Sequence, residues 1–367
     1  MSTYPKVLHV VDHLDVGGVE RMICRALPQM AAQGVDVEVL SFALRDRTIL
    51  NRLQGSGITV HCWDDPRVYR ISHIIRAIRF FRRKKYDLIH LHLFPAMLYA
   101  LIGLFRIEDR PVVIIHEHNT TNRRRHKLFR PLDSWMYSKA DRIVSITPEV
   151  EQALINWIPG LARKCLVIPN GITEEEIVDK PYRDRHPDAR AGVLRVLSLG
   201  RCVHQKGFDV LIRAVAATSG VFLQIAGDGP LKASLRKLAA ELGADDRVAF
   251  LGTRHDVPDL LERADAYVQS SRYDGFAIAA LEALGSGLPV VFSAVAGMAQ
   301  VIGESAGLSF PNENHEVLAG NLARLRDDLQ LREDLGRDGV TRARQFMCGE
   351  SSQRFVSLYR ELCCTHK

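Results

Sequence analysis

Two carboxylates and two cations carry the first chemical content of this 367-residue sequence. The stretch SSRYDGFAIAALEALGSGLPVV (270–291) sets Asp274 before a Gly-Phe pair and Glu282 eight positions later. If the run after the turn is helical, the two acids stand about 12 Å apart along its axis, at 1.5 Å per residue. That is too far for a carboxylate dyad, and too far for the pair about 5 Å apart in a retaining glycosidase. The separation suits an extended ligand held at two hydroxyl-bearing points, with the amides of Gly275, Phe276 and Ala277 facing its anionic middle at the start of the helix. Asp274 as a plain N-cap is the other reading, and the two are compatible.

The cations lie in LGRCVHQKGFDVLIRA (199–214), where Arg201 and Lys206 occupy the loop after a strand. A guanidinium fork and an ammonium can share the charge of a diphosphate. Alone, the same spacing also reads as a solvated basic loop. In DHLDVGGVER, Gly17 and Gly18 open a helix and let backbone approach an anion at its positive end. The motif is neither GxGxxG nor GxxxxGK[ST], and a simple strand-to-helix turn explains the two glycines equally well.

The elements that must position these groups alternate along the whole chain. Apolar strands are expected at KVLHVV (6–11), VDVEVLSF, DLIHLH (87–92), PVVIIHEH (111–118), RIVSIT (142–147) and KCLVIPNG (164–171), with helices between them, the first over 19–34. Residues 173–193 lose periodicity and gather charge, proline and glycine, as a linker does. Strands then resume at RVLSLG, VFLQIAG, RVAFLG, AYVQSS, PVVFSA and GLSF. Nearly continuous apolar strands alternating with helices imply an α/β protein with parallel sheets covered on both faces. The expected plan is two Rossmann-like, doubly wound domains, 1–172 and 194–340, facing across a ligand-binding cleft.

Composition narrows the classes. Hydrophobic content of 47% and charged content of 25% are ordinary for a globular chain, and no apolar run is long enough to span a bilayer. The N-terminal stretch lacks the order of a secretory leader, and seven scattered cysteines without a CxxC pair fit reduced thiols better than disulfides or a zinc site. A cytoplasmic location is expected. The net charge of +6 is uneven: residues 1–170 hold 25 Lys and Arg against 16 Asp and Glu, whereas the remainder holds 24 against 27. Such asymmetry points to halves with different partners.

Taken in order, the motifs resemble those of glycosyltransferase family 4, retaining enzymes of GT-B architecture. The likeness is carried by DVGGVER, HEHN (116–119), VIPNGI, GRCVHQKGFDVLIRA, IAGDGPLKASL, LGTRHDVPDLLERADAYVQSS and D-GF-AIAAL-E-A-LGSGLPVV. The resemblance implies that Arg201 and Lys206 hold the diphosphate of a nucleotide sugar, UDP-linked, and that Glu282 holds the ribose. Asp274, Gly275, Phe276, Ala277 and Ile278 would surround the sugar and phosphates, Gly17 and Gly18 would close on the donor, and Arg254 would border the base. His118 would stand beside the transferred sugar, with His116 the alternative; His116, Asn119 and Arg123 fall on the acceptor side. It further implies acceptor binding by the first domain, donor binding by the second, and a terminal segment 341–367 returning to the first. No metal or other cofactor is expected, in keeping with the lack of a DxD pair in the matching loop. Two departures stand out: Asp274 replaces the usual glutamate, and AGMAQ puts Gln300 where the family carries an acid.

The basic half contains RVYRISHIIRAIRFFRRKKYD (67–87), with Ile71, Ile74, Ile75, Ile78 and Phe81 at helical spacing and Arg70, Arg76, Arg79, Arg82, Arg83, Lys84 and Lys85 around them. The apolar stripe is expected to face the core, while the cations could hold the domain at anionic headgroups on the inner face of a membrane. No nucleic-acid module is present. The expected activity is therefore retaining sugar transfer to a glycan or lipid-linked acceptor in surface polysaccharide assembly. The alternatives are a nucleotide-sugar epimerase of the same architecture and a non-catalytic sugar-nucleotide binding protein.

Overall fold

The computed structural model describes residues 4–365 apart from 16, 45, 64, 106, 121–123 and 187. Short runs rich in Val, Ile and Leu form strands buried along nearly their full length, as in LIHLH and VVIIHE. A strand buried on both faces needs helices on each side, and a parallel sheet with helical crossovers supplies them.

The first unit comprises residues 1–170 and 348–367. Its strands are β1 (Lys6–Val11), β2 (Asp36–Ser41), β3 (Thr59–Cys62), β4 (Leu88–His92), β5 (Val112–Glu117), β6 (Arg142–Ser145) and β7 (Cys165–Val167). They pair in parallel in the order β3-β2-β1-β4-β5-β6-β7. One helical layer includes Gly18–Ala32 and the terminal helix Cys348–Thr365, joined where Gln29 Nε2 donates to Cys348 Sγ at 2.8 Å. Strand β3 escaped the sequence reading because it is only half-buried and lacks a long apolar run.

The second unit, residues 171–347, holds β8 (Leu194–Leu199), β9 (Val221–Ala226), β10 (Val248–Gly252), β11 (Ala266–Gln269), β12 (Val290–Ser293) and β13 (Gly307–Phe310). Their order is β10-β9-β8-β11-β12-β13, again parallel. In each sheet the winding direction reverses beside the first strand, between β1 and β4 and between β8 and β11. Doubly wound sheets bind ligands outside the carboxyl ends of the strands at such a reversal.

The expected boundaries shift. The first unit ends at Asn170 rather than at 172, because Ile172 N donates to Phe346 O at 3.0 Å within the second unit. Residues 173–193 are not a free linker. They belong to the second unit, where buried Tyr182 donates its hydroxyl to Asp265 O at 3.1 Å and Arg332 holds Val193 O at 2.9 Å. The terminal segment is divided at 348: the helix Leu329–Ala343 stays in the second unit, and Cys348–Thr365 belongs to the first.

The basic stretch forms the helix Ser72–Arg83. Its buried residues are His73, Ala77 and Phe81, with Ile74 partly buried against the same core. Of the expected stripe, Phe81 is buried, Ile74 packs against the core and Ile78 is half-buried, whereas Ile71 at 81% and Ile75 at 51% exposure face outward, which corrects the expectation for those two residues.

Candidate active site

In the second unit the loops after β8 and β11 lie side by side at the reversal of the sheet. Ser270 Oγ donates to Lys206 O at 2.9 Å, Arg272 N to Gln205 O at 2.7 Å, and Gln205 Nε2 to Tyr273 O at 3.1 Å. Gly207, with φ of 60°, turns the first loop into the helix Phe208–Ala216, and a Cβ there would lie 2.1 Å from Ser270 O. Only a residue without a side chain permits that approach.

These loops bring Lys206 and Asp274 into direct contact, with Nζ 2.8 Å from Oδ2. Gln269 Nε2 donates to the same oxygen at 3.1 Å, Ser271 Oγ at 3.3 Å, and Ala277 N donates to Oδ1 at 3.2 Å. Burial alone would raise the Asp274 carboxyl, but the Lys206 ammonium and these donors hold it below the usual carboxylate range. Asp274 is therefore an ionised acceptor at neutral pH. Arg201 is exposed at the end of β8, and among the described residues no side chain pairs with its guanidinium.

The helix after the turn begins at Ile278, not at the Gly-Phe pair. Ala277 is its N-cap in the left-handed region, φ 49°, and its amide is already used by Asp274. This corrects the expectation that the amides of Gly275, Phe276 and Ala277 form one helix terminus open to an anion. Gly275 and Phe276 precede the helix, and the Phe276 ring is buried at 5.8 Å from that of Phe346. The 1.5 Å rise likewise applies only from Ile278. Glu282 lies on this helix, 3% exposed. Arg254 follows β10 and pairs with Asp256, its Nε 2.8 Å from Oδ1. Gln300 is exposed, and its backbone oxygen accepts from Arg342.

Sequence reading missed Gln269 and Ser271, which orient Asp274, and Tyr267, whose hydroxyl fixes Gln269 Oε1 at 2.5 Å. The signal was available: QSS is a polar run at the end of an otherwise apolar strand, and all three residues are at most 3% exposed.

In the first unit, Gly17 caps the helix Gly18–Ala32 in an extended conformation. A Cβ on Gly17 would lie 2.3 Å from Glu20 Oε2, so a carboxylate of the protein itself already occupies the space beside this helix end. His13 Nδ1 stands 3.2 Å from Glu20 Oε1, and burial pushes nearby Asp12 up to about 6. His116 on β5 and His118 just after it are both buried, on the sheet face that also carries His9, His90 and His92. Burial lowers His118 to about 3, so its ring is neutral at physiological pH. Its Nε2 lies 3.2 Å from His92 Nδ1. Asn119 is exposed, and Arg123 lies outside the described residues.

Residues 16–176 match the family described as Glycosyltransferase Family 4, and residues 184–342 match Glycosyl transferases group 1. The chain belongs to glycosyltransferase family 4. This family 4 chain is 33% identical over 204 residues to the lipopolysaccharide core biosynthesis glycosyltransferase LpsD of Rhizobium meliloti, a match covering 55% of the chain and 58% of LpsD. Against LpsE of the same organism it is 36% identical, over 42% of the chain and 44% of LpsE. These matches span about half the length of each relative. A longer match joins it to the D-inositol 3-phosphate glycosyltransferase of Corynebacterium glutamicum, at 25% identity over 95% of the chain and 92% of the relative. Anabaena HepE, solved with UDP and glucose, has a TM-score of 0.82 at 21% identity, covering 97% of this chain and 99% of its own. The family 4 chain thus has the GT-B fold, with two parallel α/β sheets.

Proposed function

We propose that the protein transfers a sugar, with retention of anomeric configuration, from a UDP-linked donor to a glycan or lipid-linked acceptor. One observation carries this reading. The loop after β8 carries Arg201, whose guanidinium has no side-chain partner among the described residues, and five residues on Lys206, whose ammonium is matched to Asp274 of the loop after β11. A donor has the complementary order, with a diphosphate for the two cations and sugar hydroxyls for the ionised acid. Support from relatives agrees in kind: HepE was solved with UDP-glucose, and LpsD and LpsE are named for lipopolysaccharide core synthesis.

In the proposed reaction the bond between the anomeric carbon and the leaving phosphate oxygen breaks, and the acceptor oxygen bonds to that carbon on the same face. The departing phosphate oxygen takes the acceptor's proton. Negative charge grows on the diphosphate during departure, where Arg201 and Lys206 stabilise it more in the transition state than in the ground state. Glu282 is assigned to the ribose, Arg254 to the edge of the base and His118 to the transferred sugar, each on family position. No metal is assigned to this chemistry. The acceptor belongs to envelope polysaccharide assembly, with the first unit held at an anionic membrane face; no described helix is long and apolar enough to cross a membrane.

Incubating the protein with UDP-sugars, with and without membrane extract, separates the alternatives. Transfer to an extract component that preserves anomeric configuration supports the proposal. Donor isomerisation without an acceptor would identify an epimerase, and saturable binding without turnover a sugar-nucleotide binding protein. If His118→Ala and His116→Ala both keep near-normal turnover, neither histidine acts at the sugar.

A further inference from the structure

Five histidine rings crowd one face of the first sheet, and the proposed transfer uses at most one of them. His9 on β1 is in register with His90 on β4, and His92, two residues on, points to the same face. All three are at most 2% exposed. Their ring centroids are 4.7 Å (His9–His90), 4.5 Å (His90–His92) and 5.3 Å (His9–His92) apart. Each offers one nitrogen within 4.8 Å of the others. A tetrahedral zinc ion with bonds of about 2.0–2.1 Å spaces its nitrogen ligands about 3.4 Å apart, and His9 Nδ1 is 3.0 Å from His92 Nε2.

The other nitrogens of these rings are held as ligand rings require. Tyr359 Oη on the terminal helix lies 3.3 Å from His9 Nε2 and 2.6 Å from His90 Nδ1, while His118 Nε2 lies 3.2 Å from His92 Nδ1. Outer partners of this kind fix the tautomer and aim the inner nitrogen. His90 Nε2 is buried and bonded to nothing, and the same is true of both nitrogens of His116, whose ring stands 5.2 Å from those of His90 and His92. Unbonded polar atoms in a core call for a ligand.

We propose that His9, His90 and His92 bind one divalent transition-metal ion through His9 Nδ1, His90 Nε2 and His92 Nε2, with His116 beside the fourth position. A set of neutral imidazoles without a carboxylate favours zinc, cobalt, nickel or copper and disfavours magnesium and calcium. The site belongs to the first unit, is distinct from the donor loops, and does not depend on the transfer reaction.

The test uses the full chain stripped with chelator, then dialysed against Zn²⁺ alone, Co²⁺ alone or Mg²⁺ alone. One Zn²⁺ or Co²⁺ per chain, a tetrahedral cobalt spectrum and no Mg²⁺ are expected. His9→Gln and His90→Gln should each weaken zinc binding at least 10-fold, and Tyr359→Phe should weaken it without changing the stoichiometry. No stoichiometric ion, or an ion that survives the His9→Gln/His90→Gln double substitution, overturns the proposal, the latter showing an adventitious ion only. Should the variants fail to fold, X-ray absorption on the zinc-loaded unmodified chain decides: a first shell with at least three imidazoles supports the site, and an oxygen- or sulfur-dominated shell refutes it.

Discussion

Lys206 Nζ lies 2.8 Å from Asp274 Oδ2, so the cation proposed for the donor diphosphate and the acid proposed for its sugar neutralise each other before any donor arrives. A bound diphosphate would draw on the same ammonium and leave the carboxylate to sugar hydroxyls. The two side chains then act as a unit. Lys206→Ala and Asp274→Ala should each lower kcat/KM by roughly 10²–10³-fold, and the double variant should fall far short of the product of the two losses. Steady-state kinetics on the four proteins checks this. Multiplicative losses would mean that the pair is structural and the two roles are separate.

Arg201 provides the contrast. Its guanidinium has no side-chain partner among the described residues, so Arg201→Ala should change the urea midpoint by the equivalent of less than about 0.5 kcal/mol. The same variant should weaken UDP binding roughly 10-fold or more, because a charge-assisted contact to phosphate is lost. Calorimetry with UDP and a denaturation curve make the two readings on one preparation.

Much of this site was legible in sequence because parallel α/β folds put chemistry at strand ends, where the pattern breaks. The residues quoted from GRCVHQKG and RYDGF indeed meet, since β8 and β11 are neighbours in the sheet. The pattern did not reveal that Lys206 and Asp274 face each other, because pairing across 68 positions depends on sheet order and not on local spacing. Nor did it reveal where the helix starts. Helical propensity in FAIAALEALG extends to the glycine, but the Asp274 bond to Ala277 N displaces the first turn to Ile278. The histidine cluster was invisible for a similar reason. HLH and HEH look like ordinary strand ends until β1, β4 and β5 are laid side by side.

Gly207 tests how closely the two loops must approach. Its φ of 60° and the 2.1 Å clash of an added Cβ with Ser270 O leave Gly207→Ala no relaxed conformation. The variant should lose about 2–4 kcal/mol of stability, from left-handed backbone strain together with a displaced loop. Its residual folded fraction should also bind UDP less well. A midpoint unchanged in urea would show that the loops can part freely.

The acid limb of stability should report on Glu38. Burial pushes its carboxyl up, but Lys6 Nζ at 2.7 Å, His61 Nε2 at 2.6 Å and the Tyr86 hydroxyl at 2.7 Å more than offset this and bring it down to about 2, from an ordinary 4.5. A folded-state value below the unfolded one adds stability above about pH 4.5 that is lost as pH falls towards 2. The partly exposed Lys6 and His61 partners are screened by solvent, so the contribution falls below full linkage of the shift. Glu38→Gln should therefore be less stable than the unmodified chain at pH 7, with the gap narrowing between pH 5 and pH 3. A constant gap over that range would assign the loss to packing instead of charge.

The outward face of the helix Ser72–Arg83 bears on the proposal that the first unit meets a lipid-linked acceptor at a membrane. Ile71 and Ile75 are one turn apart, 81% and 51% exposed, and Tyr69 at 74% adjoins them. Exposed Arg79, Arg82 and Arg83 continue along the same helix. Apolar side chains beside cations suit an interface in which isoleucines enter the headgroup layer and arginines meet anionic lipid, each cation contributing about 1 kcal/mol. Ile71→Ser/Ile75→Ser should weaken flotation with phosphatidylglycerol vesicles roughly 10-fold, while UDP binding stays unchanged, since neither residue lies in the second unit, to which donor binding is proposed. Arg79→Gln/Arg82→Gln should weaken flotation most at low salt, because exposed charges are screened within about 10 Å at 0.1 M. Equal recovery on phosphatidylcholine and phosphatidylglycerol vesicles would eliminate the electrostatic half of the argument, and no recovery on either would eliminate both.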